Sequence, residues 1–212
     1  MARPLPPRPF LYPIVDVAAL GERAVGSVVA ALAAGGAKVV QFRAKGLSDR
    51  RFLDLAAEAL AAARAGGAAL IVNDRPDVAL ILGADGVHLG QDDLDPRAVR
   101  PLLPPGALLG VSTHNLEQVE RAAGAPVDYL AIGPVFPTRS KAAPDPVVGL
   151  EMVRKARALV TGSLVAIGGI TEENARSVVD AGADGVAVIS ALLSQADLAA
   201  AGRRFAAALG RR

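Results

Sequence analysis

The sequence predicts an α/β protein, a single-domain (β/α)8 TIM barrel, on three observations. Short β-rich runs alternate with Ala- and Leu-rich stretches along the whole chain. Eight such runs are visible, and several are apolar in both alternation phases, as in Leu164-Val165-Ala166-Ile167 and Val186-Ala187-Val188-Ile189. Strands buried on both faces belong to parallel sheets, and β alternating with α requires crossover helices. Periodicity alone does not separate a closed barrel from an open doubly wound sheet; eight units in 212 residues favour closure. No linker-like stretch divides the chain, so residues 1–212 read as one domain, with 1–9 a flexible N-terminal segment.

In chain order, strands are expected at Leu11 to Asp16, Lys38 to Arg43, Ala69 to Asp74, Gly86 to Gly90, Leu108 to Thr113, Tyr129 to Gly133, Leu164 to Ile170 and Gly185 to Ser190. After the second strand, Phe52, Leu55, Ala56, Ala59 and Leu60 fall at helical spacing, flanked by Arg50, Arg51, Asp54 and Glu58. Ser48 is placed to cap that helix, Pro76 to sit in the first turn of the next, and Thr171-Glu172-Glu173-Asn174 to open the one after strand seven. Gly35-Gly36, Gly66-Gly67 and Gly182 supply helix stops. Val135 to Val148 is the one long irregular segment, and loops of that length are associated with function or disorder.

Composition narrows the function classes. The 52% hydrophobic content can fill a large core, and 23 basic against 21 acidic residues leave a net charge of +2 without a basic stripe that would suggest nucleic acid. With no cysteine, disulfides, thiolate ligands and a cysteine nucleophile are excluded. The first ten residues carry Pro4, Pro6, Pro7 and Pro9 and lack the apolar core of a signal peptide, and no run is long and apolar enough to span a bilayer. The expectation is a soluble, cytoplasmic protein acting on small molecules.

In a barrel of this kind the site lies where strands run into their following helices, so polar residues at strand ends are the candidates. In order these are Gln41, Arg43 and Lys45; Asn73 and Asp74; Gln91 and Asp93; Ser112 and His114; Thr138, Ser140 and Lys141; Gly168 and Gly169; and Ser190. Arg43 and Lys45, two apart, suit a diphosphate, although an Arg-x-Lys pair at a strand mouth also reads as simple solvation. Asp74 and Asp93 end consecutive strands and would meet at one rim, where Mg2+ takes one or two carboxylates plus phosphate oxygens. Asn73-Asp74 before Arg75-Pro76 equally suits an Asx turn capping a helix, and Asp92-Asp93 suits a solvated loop. Asp77 and Asp85 read as helix-start and turn residues. The Gly168-Gly169 turn and Ser190, on strands seven and eight, suit a phosphate cup. His88, inside a short apolar strand, reads as packed and hydrogen bonded, and His114 as a residue at a helix entrance.

Taken in order, several segments resemble the thiamine-phosphate synthase family from Leu11 to about Ser190. They are Gln41-Phe42-Arg43-Ala44-Lys45, Asn73-Asp74-Arg75, Asp85 through Asp93, Gly110-Val111-Ser112-Thr113-His114, Gly133 through Thr138, and Ile167-Gly168-Gly169-Ile170. The resemblance implies a transferase that joins 4-amino-2-methyl-5-(diphosphooxymethyl)pyrimidine to a thiazole phosphate, releasing pyrophosphate, as a monomer or small homo-oligomer. It implies that Gln41, Arg43, Lys45, Asn73, Ser112 and Lys141 hold the pyrimidine diphosphate, with Arg43, Lys45, Ser112 and Lys141 acting on the departing group. Asp74 and Asp93 would hold Mg2+, and Thr138, Ser140, Gly169, Ile189 and Ser190 the thiazole phosphate. The chain departs from the family pattern in having Ser140 for a threonine in Thr138-Arg139-Ser140-Lys141, and Ala44 where glutamate is frequent. Neither change removes a charge essential to that chemistry. Competing expectations are a related thiazole tautomerase using His114 as acid and base, an aldolase-type barrel with a Schiff base on Lys45 or Lys141, and a phosphate-ligand barrel without catalysis.

Overall fold

The computed structural model describes residues 4–138 and 145–210. Parallel strands close into a barrel in sequence order, β1 through β8, with β8 hydrogen bonded back to β1. The strands are β1 (Phe10–Asp16), β2 (Val39–Arg43), β3 (Ala69–Asn73), β4 (Gly86–Leu89), β5 (Leu108–Thr113), β6 (Tyr129–Ile132), β7 (Ser163–Ile167) and β8 (Gly185–Val188). Outside them lie α1 (Val25–Ala34), α2 (Asp49–Ala65), α3 (Pro76–Leu82), α4 (Pro96–Val99), α5 (Leu116–Ala123), α6 (Gly149–Leu159), α7 (Ala175–Asp180), α8 (Ser190–Leu193) and α9 (Leu198–Gly210). Among the described residues no helix is long and apolar enough to cross a membrane.

The strands occur where the sequence predicts them, but several end earlier. β7 stops at Ile167 because Gly168 and Gly169 turn the backbone to φ values of 101° and 63°. β8 stops at Val188, since Ser190 already opens α8. Lys38 precedes β2 instead of starting it, and Thr171 to Asn174 forms a turn before α7, in which the Thr171 amide donates to Asn174 Oδ1 at 2.8 Å. Ser48 caps α2 through a hydrogen bond from the Arg51 amide, and Pro76 is the first residue of α3.

Period-two alternation divides the core into two shells. Val15, Val40, Phe42, Leu70, Val72, Leu109, Leu130 and Leu164 face the helices, whereas Phe10, Tyr12, Ile14, Val39, Ile71, Leu108, Tyr129 and Val165 fill the barrel interior. The interior is too narrow for large side chains on neighbouring strands at one level. Gly110 on β5 therefore yields to the Tyr129 ring on β6, and a Cβ at that position would lie 2.0 Å from Tyr129 Cζ.

At the opposite end from the helix-entering rim, a recurring clamp sets strand register. Asp85, Asp128 and Asp184 immediately precede β4, β6 and β8. Their carboxylates accept from the amides of Leu70, Leu109 and Leu164 at 2.9, 2.7 and 2.8 Å on the preceding strand. Their own amides donate to the carbonyls of those same residues. Asp85 is thus a buried strand-joining residue and more than a turn former. Asp184 also binds Arg157 and Arg8, and Leu5 packs against the interior cluster.

Removing a buried acceptor leaves an unsatisfied amide, which costs about 1–3 kcal/mol. Asp85→Ala is expected to lose that much stability in urea denaturation. Asp54→Ala, on an exposed face of α2, should stay within about 0.5 kcal/mol.

Candidate active site

The ends of β2 to β5 surround a cleft of about 480 Å³ whose lining includes Arg43, Lys45, Asn73, Asp74, Asp93 and Ser112. Deeper in the barrel a recess of about 70 Å³ is lined by Tyr12, Gln41, Ile167 and Ile189, and it shares Arg43, Asn73, His88 and Ser112 with the cleft. Strand parity explains the gathering. Gln41, Asn73 and Ser112 continue the inward-facing positions of their strands, one pleat beyond the apolar filling. Of the predicted site residues, Thr138, Gly169 and Ser190 line neither space, and Ser140 and Lys141 lie outside the described residues.

The two aspartates meet. Asp93 is drawn over the mouth by a 2.7 Å hydrogen bond from the Gly90 amide. Its carboxyl is pushed above the usual carboxylate range by burial first, and next by its hydrogen bond with the Asp74 carboxyl. Asp74 is ion paired with Lys45. Helix capping does not account for Asp74, because the cap residue of α3 is Arg75, without a side-chain cap bond. Asp74 is moreover the one non-glycine residue at positive φ, 62°, among the described residues. A side chain held in the left-handed region at a cleft is a mark of a functional constraint. Among the described residues no group of three or more His, Cys, Asp or Glu side chains is gathered to hold a metal. The pair therefore offers two hard oxygen donors and leaves the remaining positions of a cation's shell to phosphate and water.

Arg43, at the end of β2, is ion paired with Asp16, at the end of β1. Asp16 is buried and also accepts from the Ala18 amide at 3.2 Å. Sequence reasoning passed over Asp16, although its position at a strand end was the available signal. It also passed over Tyr12 and Tyr129, which read as ordinary strand residues. His88 is packed and hydrogen bonded as expected, with Nδ1 3.0 Å from the Tyr129 hydroxyl and Nε2 2.8 Å from Ser112 Oγ. His114 lies at the entrance of α5, but Asn115 is the cap, accepting from the Gln118 amide at 2.9 Å. The His114 ring spans Gly133 O, 2.6 Å from Nδ1, and Asp145, 3.5 Å from Nε2.

The Gly168-Gly169 turn is dictated by packing as well as by φ. Cβ atoms there would lie 2.4 Å from Pro134 Cβ and 2.5 Å from Pro137 O, so only glycine lets the segment after β6 fold onto the end of β7. Asn174 Nδ2 donates to Gly169 O at 3.0 Å and holds the turn in place.

A family model described as thiamine monophosphate synthase matches residues 11–192. A thiamine-phosphate synthase from Koribacter versatilis (strain Ellin345) is 50% identical over 189 residues, covering 87% of this chain and 89% of the relative. A second, from Albidiferax ferrireducens, is 46% identical over 195 residues, covering 92% and 89%. Among solved structures, a thiamine phosphate pyrophosphorylase from Pyrococcus furiosus superposes with a TM-score of 0.83 at 36% identity, covering 94% of this chain and 95% of that one.

Substitutions at Asp74 separate its charge from its backbone. Asn tolerates the left-handed region and removes the like charge facing Asp93, while the half-exposed Lys45 pair contributes little. Asp74→Asn is expected to stabilise the ligand-free protein by about 0.5–1 kcal/mol near neutral pH. Asp74→Val, β-branched at positive φ, should lower stability by about 1–2 kcal/mol. Urea midpoints of the two variants check both signs.

Proposed function

The chain belongs to the thiamine monophosphate synthase family, and on that premise we propose that it joins 4-amino-2-methyl-5-(diphosphooxymethyl)pyrimidine to a thiazole phosphate, yielding thiamine phosphate and pyrophosphate. It is a transferase. The observation that carries the reading is the convergence of Arg43, Lys45, Asp74, Asp93 and Ser112 on one cleft. Cations, hard oxygen donors and a hydroxyl together suit a departing diphosphate.

In this reaction the bond from the pyrimidine methylene to the diphosphate oxygen breaks, leaving a carbocation stabilised by the electron-rich aminopyrimidine. The thiazole nitrogen then forms the new C–N bond. That nitrogen carries no proton to lose, so no general base is required. What the protein contributes is alignment of two rings and stabilisation of charge on the leaving group. Arg43 and Lys45, with Lys141, would neutralise the diphosphate once substrate draws them from Asp16 and Asp74. Ser112 would donate to a diphosphate oxygen, while Gln41 and Asn73 orient the pyrimidine diphosphate from the recess they line. Thr138, Ser140, Gly169, Ile189 and Ser190 would receive the thiazole phosphate.

The donor set fits Mg2+. Asp74 and Asp93 meet carboxyl to carboxyl with the largely exposed Lys45 ammonium beside them, so their combined negative charge is only partly balanced. Asp74 and Asp93 would hold the ion, which supplies Lewis-acid neutralisation of the diphosphate when bound. A tautomerase acting through His114 is the weaker reading, because isomerising a monophosphate leaves the two carboxylates and the cations unused.

Purified protein supplied with both substrates and Mg2+ is expected to release pyrophosphate and thiamine phosphate in equal amounts. Chelation should stop both products. Continued turnover without Mg2+ would refute the metal-assisted reading. Lys45→Ala should slow the chemical step by about 10²- to 10³-fold in single-turnover kinetics. Mg2+ alone at about 100 times its Kd should raise stability by about 2.7 kcal/mol, a gain that Asp93→Asn should abolish.

A further inference from the structure

We infer that a chain of five side chains, the buried Gln41, Tyr12, Tyr129 and His88 and the half-buried Ser112, is a one-way hydrogen-bond relay that sets the His88 tautomer and turns the Ser112 hydroxyl proton into the cleft. The links are continuous across the barrel. Gln41 Nε2 lies 3.2 Å from the Tyr12 hydroxyl, which lies 2.8 Å from the Tyr129 hydroxyl. That oxygen lies 3.0 Å from His88 Nδ1, and His88 Nε2 lies 2.8 Å from Ser112 Oγ. Tyr12 and Tyr129 are each 1% exposed and Gln41 2%, and the links among them are direct contacts between side chains.

The direction follows from counting protons. Burial pushes both phenols well above their ordinary pKa, so each keeps one hydrogen to donate. The Gln41 amide nitrogen only donates, and the Tyr12 oxygen must receive from it. The Tyr12 hydrogen is then directed at the Tyr129 oxygen, and the Tyr129 hydrogen at His88 Nδ1. A nitrogen that accepts is bare, so the imidazole proton resides on Nε2 and is donated to Ser112 Oγ. Ser112 keeps its own hydrogen for an acceptor in the cleft and the recess, both of which it lines. Run in reverse, the chain would point the Tyr12 hydrogen at the Gln41 amide donor, so the Gln41 end selects the forward direction. Construction of the barrel supports a dedicated arrangement: Gly110 surrenders its side chain to the Tyr129 ring, and a Cβ there would lie 2.4 Å from the Tyr129 hydroxyl.

The consequence rests on the proposed synthase reading. A serine beside an imidazole is free to donate to the ring nitrogen instead of to substrate. With Nε2 already protonated that option is closed, and the hydroxyl is held as a donor for an anionic diphosphate oxygen before substrate arrives. Tyr12 and Tyr129 are then positioning residues, acting on the reaction through Ser112.

Nitrogen-15 NMR of histidine-labelled full-length protein tests the relay without any substrate, with His114→Gln used to assign the two imidazoles. The wild-type protein should show His88 protonated at Nε2 and bare at Nδ1. Gln41→Glu is nearly isosteric and replaces the donor with an acceptor, so it should reverse the chain and move the proton to Nδ1. Tyr12→Phe cuts the chain and should give signals of both tautomers, with kcat reduced about tenfold and KM little changed. A wild-type His88 protonated at Nδ1 or at both nitrogens, or a tautomer indifferent to Gln41→Glu and Tyr12→Phe, would overturn the relay. An unchanged kcat in Tyr12→Phe would overturn its positioning role. A protein that makes no thiamine phosphate but shows the predicted tautomers would sink the synthase reading alone.

Discussion

Closure of the strand ring with alternating side chains is the constraint on which the rest depends. In a closed parallel barrel every strand enters at one end and leaves at the other, so the parity that packs Ile14, Val39, Ile71 and Val165 inside also decides what stands at the mouth. One pleat further along, the same rows supply Asp16, Gln41, Asn73 and Ser112. A one-residue slip in any strand would bury its polar end residue against the helices and expose a core residue to the cleft. The aspartates before β4, β6 and β8 oppose such slips, since each ties its own strand to the start of the one before.

The two ends of the barrel use carboxylates in opposite ways. At the end carrying the clamps, Asp85, Asp128 and Asp184 accept from backbone amides and are satisfied within the protein. At the other end Asp74 and Asp93 face each other, with an exposed ammonium as the nearby cation. Two adjacent carboxylates at a cleft, one of them on a left-handed residue, are an arrangement the fold does not need. The proposed cation would relieve the repulsion that the Lys45 ammonium leaves between them. Arg43 is likewise neutralised by Asp16 in the free protein. Arg43 and Lys45 are therefore each paired with a carboxylate, which limits the repulsion between them in the free protein.

Much of this was legible in the sequence, and the part that was not has physical reasons. The strands were readable because burial on both faces leaves long apolar runs. Asp74, Asp93, Arg43 and Lys45 were readable because strand ends in a barrel share one rim. The overshoot at Ile170 and Ser190 arose because apolar residues continue past the point where glycine φ values and a short helix take over. Asp85 was underestimated because a turn position and a register clamp leave the same local pattern of Asp before a strand. Tyr12 and Tyr129 were unreadable as a pair, being 117 residues apart and meeting only through the register of the closed ring. From one sequence, nothing distinguishes a tyrosine that fills a core from one whose hydroxyl continues a polar chain.

The barrel interior shows how packing and preorganisation are combined. Aliphatic side chains in place of the phenols would fill the space without polar atoms to satisfy, and polar interiors are costly unless every group is paired. Tyr12 and Tyr129 meet edge to face with ring centroids 5.9 Å apart, and His88 stacks on Tyr129 at 5.5 Å, so the rings contribute apolar contact while the phenol hydroxyls and the imidazole link. A hydroxyl at the tip of a serine has three staggered rotamers and in water samples them freely. Fixing its hydrogen from beneath, through groups that a closed barrel already immobilises, removes that freedom during folding and not during binding. Orientation at the mouth is thus settled by atoms deep in the core, which is why the interior of this barrel is polar along one path and apolar elsewhere.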